Sequence, residues 1–216
     1  MRRALVLLLL RAVQAWDRLR LRGLMRKHPG LRIDPTASTN LAVARFELAP
    51  GSELVIGAEV TTERLPGELC FHVESGGRVE VGRATWLRCE VEKIRLVAYT
   101  GGRLCLGAEC FLNGCQLSAK ERVEVGVGAM IGPGCRVYDS DQHPLDDETP
   151  ESPRPVEIGV CVWVASDVTV TKGSVIGGHS VIGTRSLVAG HIDEHTLAYG
   201  VPAMPRGHVG KRRPFM

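Results

Sequence analysis

The chain has 216 residues, of which 44% are hydrophobic and 5% aromatic, and it contains 25 glycines. This length is sufficient for one domain with its own core and small appendages. The formal net charge of +3 is unevenly placed, because residues 1–29 hold eight Arg or Lys and one Asp, which leaves about −4 for the remaining residues. A main body of negative charge argues against nucleic acid as a partner.

The first 29 residues predict a basic amphipathic helix that ends at His28-Pro29-Gly30. Its apolar run, Ala4 to Leu10, has seven residues, too few to cross a bilayer, and no small-residue cleavage site follows it. Basic residues interleaved with Trp16 continue the helix beyond this run. Two interpretations remain open. Residues 1–27 can lie on an anionic membrane surface, or the helix can cover an open strand edge of the next domain.

Six consecutive hexapeptides lie between Ile158 and Asp193, and each begins with Ile or Val. They read IGVCVW, VASDVT, VTKGSV, IGGHSV, IGTRSL and VAGHID. Repeats of this length are typical of a parallel β-helix, in which each hexapeptide forms a short strand and a turn, and three hexapeptides form one triangular coil. Weaker repeats extend back to Leu31. We therefore predict an all-β domain over residues 30–198, followed by a tail at 199–216.

The repeat is interrupted once by a long segment. It stops after Val137 and resumes at Ile158, and the intervening residues 139–155 contain six carboxylates and His143. A loop of this length expelled from a regular solenoid is more often functional than decorative. The acidity of residues 146–151 is also what a solvated surface loop would show.

Seven cysteines are present, and none of them forms a CxxC pair. Cys110 and Cys135 fall at the small fifth position of hexapeptides, where Cys serves as a compact apolar residue. We therefore expect reduced thiols in the core rather than a zinc site or a disulfide framework.

The string VYDSDQHPL, followed by PVEIGVCVWVASDVTVTKGSVIG, resembles the hexapeptide-repeat acyltransferases. The resemblance is strong over residues 106–206 and is nearest to the galactoside, maltose and xenobiotic O-acetyltransferases and their relatives in capsule and lipopolysaccharide synthesis. It implies a left-handed parallel β-helix with a short N-terminal helix and an expelled loop. It further implies a homotrimer that binds acetyl-CoA in grooves between neighbouring prisms and requires no metal.

The resemblance also implies residue roles at the acceptor. His143 matches the general base of the family, which takes the proton of the attacked hydroxyl. Asp139 and Asp141 are both candidates to hold its other ring nitrogen, and Asp141 is also placed beside the acceptor. Asn113, thirty residues before His143, matches an Asn that contacts the acceptor in sugar acetyltransferases. Alternatively, Asn113 is a structural residue of an asparagine ladder or turn.

For the acyl donor, the resemblance places Trp163 against the pantetheine arm and aims the backbone N–H of Ser166 at the thioester oxygen. Burial under a neighbouring subunit is the alternative for Trp163. The other donor-binding residues that it implies are Ala165, Lys172, Thr184, Arg185 and Arg206. The C-terminal motif AYGVPAMPRG departs from the family pattern. Val201 replaces the usual Asn, Met204 replaces the usual Lys, and Ala189-Gly190 stand where Thr-Lys is common.

These residues predict an acetyl-CoA-dependent O-acetyltransferase that acts on a sugar hydroxyl in polysaccharide or glycolipid synthesis. We expect a cytoplasmic protein, with peripheral contact at the inner face of the membrane as a second possibility. The identity of the acceptor and of its hydroxyl is not encoded in any motif.

Several other functions were weighed against this one. A zinc carbonic anhydrase needs three converging histidines, and His143 and His179 lie 36 residues apart, but Thr184 stands where a further ligand would be expected. A non-catalytic scaffold subunit would explain the departures in the C-terminal motif. N-acetylation of an amino sugar lacks any sign of an appended nucleotide-binding domain. The serine acetyltransferases carry a longer helical N-terminal domain than residues 1–29.

Overall fold

The computed structural model describes residues 2–215, so Met1 and Met216 of the predicted helix and tail lie outside the described residues. The same holds for the side chains of residues 2–4. The chain forms a parallel β-helix in which three sheets make the sides of a triangular prism. Each coil visits sheet A, then sheet C, then sheet B, and successive coils add one parallel strand to each side.

The strands of the three sheets are short. In spatial order, sheet A contains Leu31–Ile33, Glu53–Ile56, Arg78–Val81, Arg103–Leu106, Arg122–Val125, Val156–Ile158, Val175–Ile176 and His191–Ile192. Sheet B contains Arg45–Leu48, Leu69–Val73, Ile94–Ala98, Gln116–Ala119, Arg136–Tyr138, Thr169–Val170 and Leu187–Val188. Sheet C contains Thr61–Thr62, Trp86–Arg88, Phe111–Asn113, Met130–Ile131, Trp163–Val164, Val181–Ile182 and Thr196–Gly200, and Ala203–His208 closes it as an antiparallel strand. A 3₁₀ helix, Thr39–Val43, takes the place of a sheet C strand in the first coil.

The hexapeptide period accounts for the core. In one coil the first residues of three hexapeptides, Ile158, Val164 and Val170, are buried on the three sides of the prism. The fifth positions are buried at the corners, where Ser180 donates to the carbonyl of Asp193 at 2.8 Å. Since every buried hydroxyl needs a partner, small serines that reach a backbone carbonyl fit these narrow corners.

The early coils are longer than the late ones, which explains why their repeats are hard to see in the sequence. Leu54 pairs with Val79, 25 residues later, whereas Ile158 pairs with Ile176, 18 residues later. The extra residues form wider turns such as Leu65-Pro66-Gly67. Most inward positions remain aliphatic, with Thr62 and Phe71 as exceptions in an early coil, and the prism continues without a break from Leu31.

The N-terminal helix, α1, spans Arg2–Lys27. Its C-terminal half packs on the first two coils, where Leu21 is buried and the buried carboxylate of Asp17 accepts two hydrogen bonds from Arg64 at 2.9 and 3.0 Å. Residues 5–16 are exposed and extend from the prism. The helix therefore covers the end of the prism with its C-terminal part alone. None of the described helices combines the length and the apolar character needed to cross a membrane.

The seven cysteines are free, six of them are buried, and Cys105 is half-buried. Burial raises the pKa of the Cys110 and Cys135 thiols to about 11. At pH 8 each of these two thiols would be ionised in roughly one molecule in a thousand, and the thiolate is the reactive form. These side chains therefore act as core residues in the folded protein.

Titration of native protein with a thiol-specific chromogenic reagent at pH 8 should show at most one rapidly reacting thiol, which we assign to Cys105. The same titration in guanidinium chloride should give all seven. Rapid reaction of several thiols in the native protein would contradict the burial described above. A Cys105→Ser variant, in which the fast phase should disappear, is the matched control.

Candidate functional site

The expelled loop is anchored to the prism through one carboxylate. Asp139 follows the sheet B strand Arg136–Tyr138 and is fully buried. Its carboxylate accepts hydrogen bonds from the backbone N–H groups of Lys120, Glu121 and Arg122 at 2.8, 2.7 and 2.7 Å. Charge-assisted hydrogen bonds to three converging amides fix the point at which the loop leaves the prism. Asp139 is thereby committed to the backbone of the preceding coil.

Lys172 bonds to residues near both ends of the loop. The ammonium group of Lys172 forms an ion pair with Asp141 and donates to the carbonyl of Ser152 at 3.1 Å. Lys172, predicted beside the acyl donor, and Asp141, predicted beside the acceptor, therefore contact each other in this structure. Their shared role here is to close the loop, and their proposed substrate contacts stay predictions.

The residue before His143 is held on several sides. Gln142 has a φ of 72°, a left-handed conformation that is uncommon for a residue with a side chain. Its side chain accepts from the hydroxyl of Tyr99 at 3.1 Å, and its carbonyl accepts from Lys120 Nζ at 3.1 Å. These contacts hold the backbone in a conformation that eight other non-glycine residues of the described chain also adopt, all at turns of the prism.

Lys120 also holds the far side of the loop. Its Nζ donates to Glu151 Oε2 at 2.5 Å, and this hydrogen bond lowers the pKa of the Glu151 carboxyl below its ordinary value. Lys120 thus connects Gln142, which precedes His143, to Glu151 in the segment that returns from the loop to the prism. Sequence reasoning did not identify Lys120, Tyr99 or Gln142. A left-handed Gln leaves no compositional signal, and its contacts with Tyr99 and Lys120 join residues that are 43 and 22 positions apart.

His143 itself is exposed, and its ring makes no hydrogen bond to any of residues 2–215. Neither candidate carboxylate orients it in this structure, since Asp139 binds backbone amides and Asp141 binds Lys172. The loop therefore presents an open imidazole on a firmly held backbone. Such a group is available to a bound molecule or to a second copy of the chain.

A row of small residues crosses the outer face of sheet C. Leu112 pairs with Ile131, and Ile131 pairs with Val164, so the residues that follow them, Asn113, Gly132 and Ala165, lie in one row. By the same register the row continues to Gly183 and Tyr199. We call these five residues the sheet C row. Its middle is nearly free of side chains.

Asn113 stands at one end of this row with an unsatisfied atom. Its Oδ1 is buried and has no hydrogen-bond partner among the described residues. Buried polar atoms are paired in the great majority of cases, so an orphaned amide oxygen calls for an explanation. A hydroxyl group bound beside Asn113 would supply the missing donor if the side chain turned outward, since the oxygen is buried in its present position. The purely structural alternative for Asn113 offers no such partner.

The predicted oxyanion donor is also unpaired. The backbone N–H of Ser166 donates to no carbonyl or side chain in the described part of the chain, although the Ser166 carbonyl accepts from Arg185. Gly132 lies directly against this amide, since a Cβ at that position would lie 3.0 Å from the Ser166 nitrogen. The equivalent turn amides of Ala108, Val127 and Thr184 likewise have no acceptor in the described part of the chain. The arrangement leaves a backbone donor free beside the row.

The remaining predicted donor residues surround the row unevenly. Trp163 lies on the same face of sheet C with 40% of its surface exposed. Arg206 lies over the Tyr199 ring, with its guanidinium carbon 5.5 Å from the ring centre. Thr184 and Arg185 are exposed on a turn, where Arg185 approaches Asp167 at 3.9 Å. The structure thus gathers Asn113, Trp163, Ala165, Ser166 and Arg206 on one side of the prism, with Thr184 and Arg185 at its border.

The expelled loop and the sheet C row lie at opposite edges of sheet B. Asn113 precedes the turn into the sheet B strand Gln116–Ala119, whereas the loop with His143 follows sheet B. A strand of four residues spans roughly 13 Å. The two halves of the predicted site are therefore separated by the width of one side of the prism.

No protein-family model matches the sequence. "Probable acetyltransferase Rv3034c" of Mycobacterium tuberculosis is 28% identical over 137 residues, which are 61% of this chain and 42% of the relative. Nodulation protein L of Rhizobium meliloti is 33% identical over 112 residues, 50% of this chain and 61% of the relative. Galactoside O-acetyltransferase of Escherichia coli is 33% identical over 84 residues, 37% of this chain and 41% of the relative. The chain spans less than two thirds of each of these relatives.

Two solved structures share the fold over almost the whole chain. The polySia-specific acetyltransferase NeuO superposes with a TM-score of 0.60 at 21% identity, covering 88% of this chain and 92% of that one. The hexapeptide-repeat-containing acetyltransferase VCA0836 of Vibrio cholerae gives a TM-score of 0.50 at 14% identity, covering 93% of both chains. The chain resembles the hexapeptide-repeat acetyltransferases in sequence and in fold. The left-handed parallel β-helix that the sequence predicted is thereby confirmed.

Within this hexapeptide-repeat fold, the histidines do not assemble a metal centre. No group of three His, Cys, Asp or Glu suited to a metal ion occurs among residues 2–215. His179 instead stacks on His195, with ring centres 5.0 Å apart. No arrangement of side chains in the described chain favours the carbonic anhydrase alternative.

Replacing Asp139 with Ala should destabilise the protein by about 2–4 kcal/mol, because three backbone amide groups would lose the buried carboxylate that accepts their hydrogen bonds. For a chain of this size, that loss lowers Tm by roughly 5–12 °C, which differential scanning calorimetry would measure. Limited proteolysis should also cut within residues 140–155 much faster than in the wild type.

Asp146→Ala is the matched control for this measurement. Asp146 lies at the exposed tip of the same loop and accepts hydrogen bonds from the amides of Glu148 and Thr149 at 2.9 and 2.7 Å, where water can replace it. Its removal should cost less than about 1 kcal/mol. Equal Tm values for the Asp139 and Asp146 variants would show that the buried carboxylate is not the anchor of the loop.

Proposed function

We propose that this protein is an acetyl-CoA-dependent O-acetyltransferase that acetylates a sugar hydroxyl in polysaccharide or glycolipid synthesis. The observation that carries the proposal is the buried, unsatisfied Asn113 Oδ1 at the end of a row with small side chains on sheet C. The relatives named acetyltransferases, one of them a galactoside O-acetyltransferase, support the same reaction class.

The sheet C row is suited to an extended acyl donor. Gly132, Ala165 and Gly183 leave a path along the prism axis, and the indole of Trp163 supplies an apolar wall beside it. Arg206 lies at the far end of the row, next to Tyr199, where its positive charge can meet a phosphate group. In this arrangement the thioester lies near Ser166 and the phosphates lie toward the C-terminal strands.

The proposed residues divide the chemistry between them. Asn113 Oδ1 accepts a hydrogen bond from the acceptor and holds it, and His143 removes the proton of the attacking hydroxyl. The hydroxyl oxygen bonds to the thioester carbonyl carbon, the carbon–sulfur bond breaks, and His143 returns the proton to the departing thiolate. The products are an acetyl ester and free CoA thiol. The Ser166 N–H stabilises the negative charge that develops on the carbonyl oxygen, an effect of roughly 3–4 kcal/mol.

A homotrimer would bring the two halves of the site together. His143 and Asn113 are separated by the width of sheet B within one chain, and the His143 ring is open to the outside. A neighbouring prism that presents its expelled loop to sheet C of this chain would place a histidine over the row. We therefore infer that each site uses His143 of one subunit and the sheet C row of the next.

Two alternatives remain for this site. A non-catalytic scaffold would not require the unsatisfied Asn113 Oδ1, which disfavours it. N-acetylation of an amino sugar uses the same donor, and a comparison of amino and hydroxyl sugars as acceptors distinguishes it.

Replacement of His143 with Ala should leave the Kd for acetyl-CoA within about twofold, because the proposed partner of its ring is the acceptor hydroxyl rather than the acyl donor. Release of free thiol in the presence of a panel of hexoses, disaccharides and amino sugars should fall by roughly 10²–10⁴-fold, the usual contribution of a positioned base. Calorimetry and a thiol-detection assay provide the two readouts.

His191→Ala is the control for the loss of a histidine, since His191 is exposed and bonds to Asp193 on sheet A. It should retain full turnover. Turnover of the His143 variant at the wild-type rate would remove the general base from the mechanism. Failure of the wild type to bind acetyl-CoA would return the protein to the scaffold alternative.

The exposed part of α1 supports contact with an anionic membrane surface. Leu5, Leu9, Ala12, Trp16 and Leu19 follow each other at helical spacing and lie on a side of the helix away from the buried Asp17 and Leu21. Leu9 and Trp16 are 58% and 68% exposed. Residues 1–29 contain eight basic residues and one acidic residue, and this positive charge favours negatively charged lipid as the binding partner over a second copy of the same helix. We propose that the protein works at the inner face of a membrane, on a lipid-linked or surface-polysaccharide sugar.

Replacement of Trp16 with Glu should weaken binding to vesicles that contain anionic phospholipid by at least about tenfold, because it removes an amphipathic aromatic ring and adds a repelling charge. Vesicle sedimentation measures the effect. Gln14→Glu adds the same charge at another exposed position of α1 and should have a much smaller effect. Equal losses for both variants, or no binding of the wild type, would contradict the apolar contact.

A further inference from the structure

The C-terminal residues 209–215 run along the corner between sheets A and C, and we call them the strap. Val209 exchanges hydrogen bonds with His195, whose carbonyl accepts from the Val209 N–H at 2.6 Å. At the other end, the ring of Phe215 stacks on Phe111 with centres 4.9 Å apart. Between these points the strap crosses several coils in the direction opposite to the growth of the prism.

Arg212 is the central contact of the strap. Its backbone N–H donates to His179 Nδ1 and its Nε donates to the carbonyl of Cys161, both at 3.2 Å. Its guanidinium carbon lies 5.4 Å from the centre of the Trp163 ring. No carboxylate pairs with Arg212 among residues 2–215, so the charge is directed at the indole.

The strap covers one of two parallel rows on sheet C and leaves the other open. Phe111, Met130 and Trp163 form the first row by register, and Arg212 and Phe215 lie on it. The second is the sheet C row, which no residue of the strap contacts through a hydrogen bond or ring stacking. The strap therefore borders the row without filling it.

We propose that the strap is a wall of the acyl-donor groove and that Arg212 is a positioning residue, which holds the Trp163 ring in the place where the donor packs against it. This inference rests on the proposed function. Arg212 fixes the indole by a cation–π contact and is itself fixed by Cys161 and His179. A ring held in advance costs the donor less ordering on binding.

The test compares Arg212→Gln, Arg212→Lys and the neighbouring Arg213→Gln in the full chain. Arg213 is exposed on the same strap and serves as the control for lost charge. Calorimetry should give a Kd for acetyl-CoA about tenfold higher for Arg212→Gln, in line with the loss of one cation–π contact and its preorganisation. Arg212→Lys, which keeps a cation over the ring, should restore part of this loss. Arg213→Gln should stay within about twofold of the wild type.

A second readout does not depend on the donor. With Trp16 and Trp86 replaced by Phe in every protein compared, acrylamide quenching reports on Trp163 alone, and Arg212→Gln should increase it. Wild-type affinity in Arg212→Gln, or tighter binding because the strap obstructs the groove, would overturn the proposal while leaving the acetyltransferase assignment intact. Absence of acetyl-CoA binding by the wild type would overturn both, even if the quenching difference showed that Arg212 holds the indole.

Discussion

The architecture depends on one constraint, which is that each coil must bury one side chain, in most coils an aliphatic one, on each of three narrow sides. Ile158, Val164 and Val170 satisfy it in a single turn of the chain, and the strands above and below repeat the pattern. The parallel ladders that follow from this stacking hold the backbone in fixed register. Because the inward positions carry the folding energy, the outward positions are free to vary, and the proposed site is built entirely from them.

The outward positions gain their geometry from contacts between coils. Asp139 accepts hydrogen bonds from three amides of the preceding coil. Lys120 donates to Glu151 and Lys172 donates to the carbonyl of Ser152, and these two bonds attach the returning part of the loop to the prism. His143 is placed by its neighbours on a rigid backbone, although its own ring is free. This combination of a held backbone and an open side chain is compatible with the role proposed for His143.

The two ends of the chain are used in different ways. The helix α1 is attached through the buried pair of Asp17 and Arg64, which leaves its apolar first half projecting from the prism. The C-terminal strap instead lies down on sheet C and supplies Arg212 to Trp163. The C-terminal motif AYGVPAMPRG is thus followed by a basic segment that lies on the same face of the prism.

The sequence alone determined the period of the coils, the inward residues and the position of the expelled loop, because a narrow prism imposes its size limits at regular local spacing. It also pointed to His143, Asn113 and Ser166 through resemblance. It did not show the long early coils or the clamps around the loop. Those contacts join residues far apart, such as Asp139 with Lys120, 19 positions away, and Arg212 with Met130, 82 positions away. Only the stacking of coils brings such pairs together, and no local pattern records them.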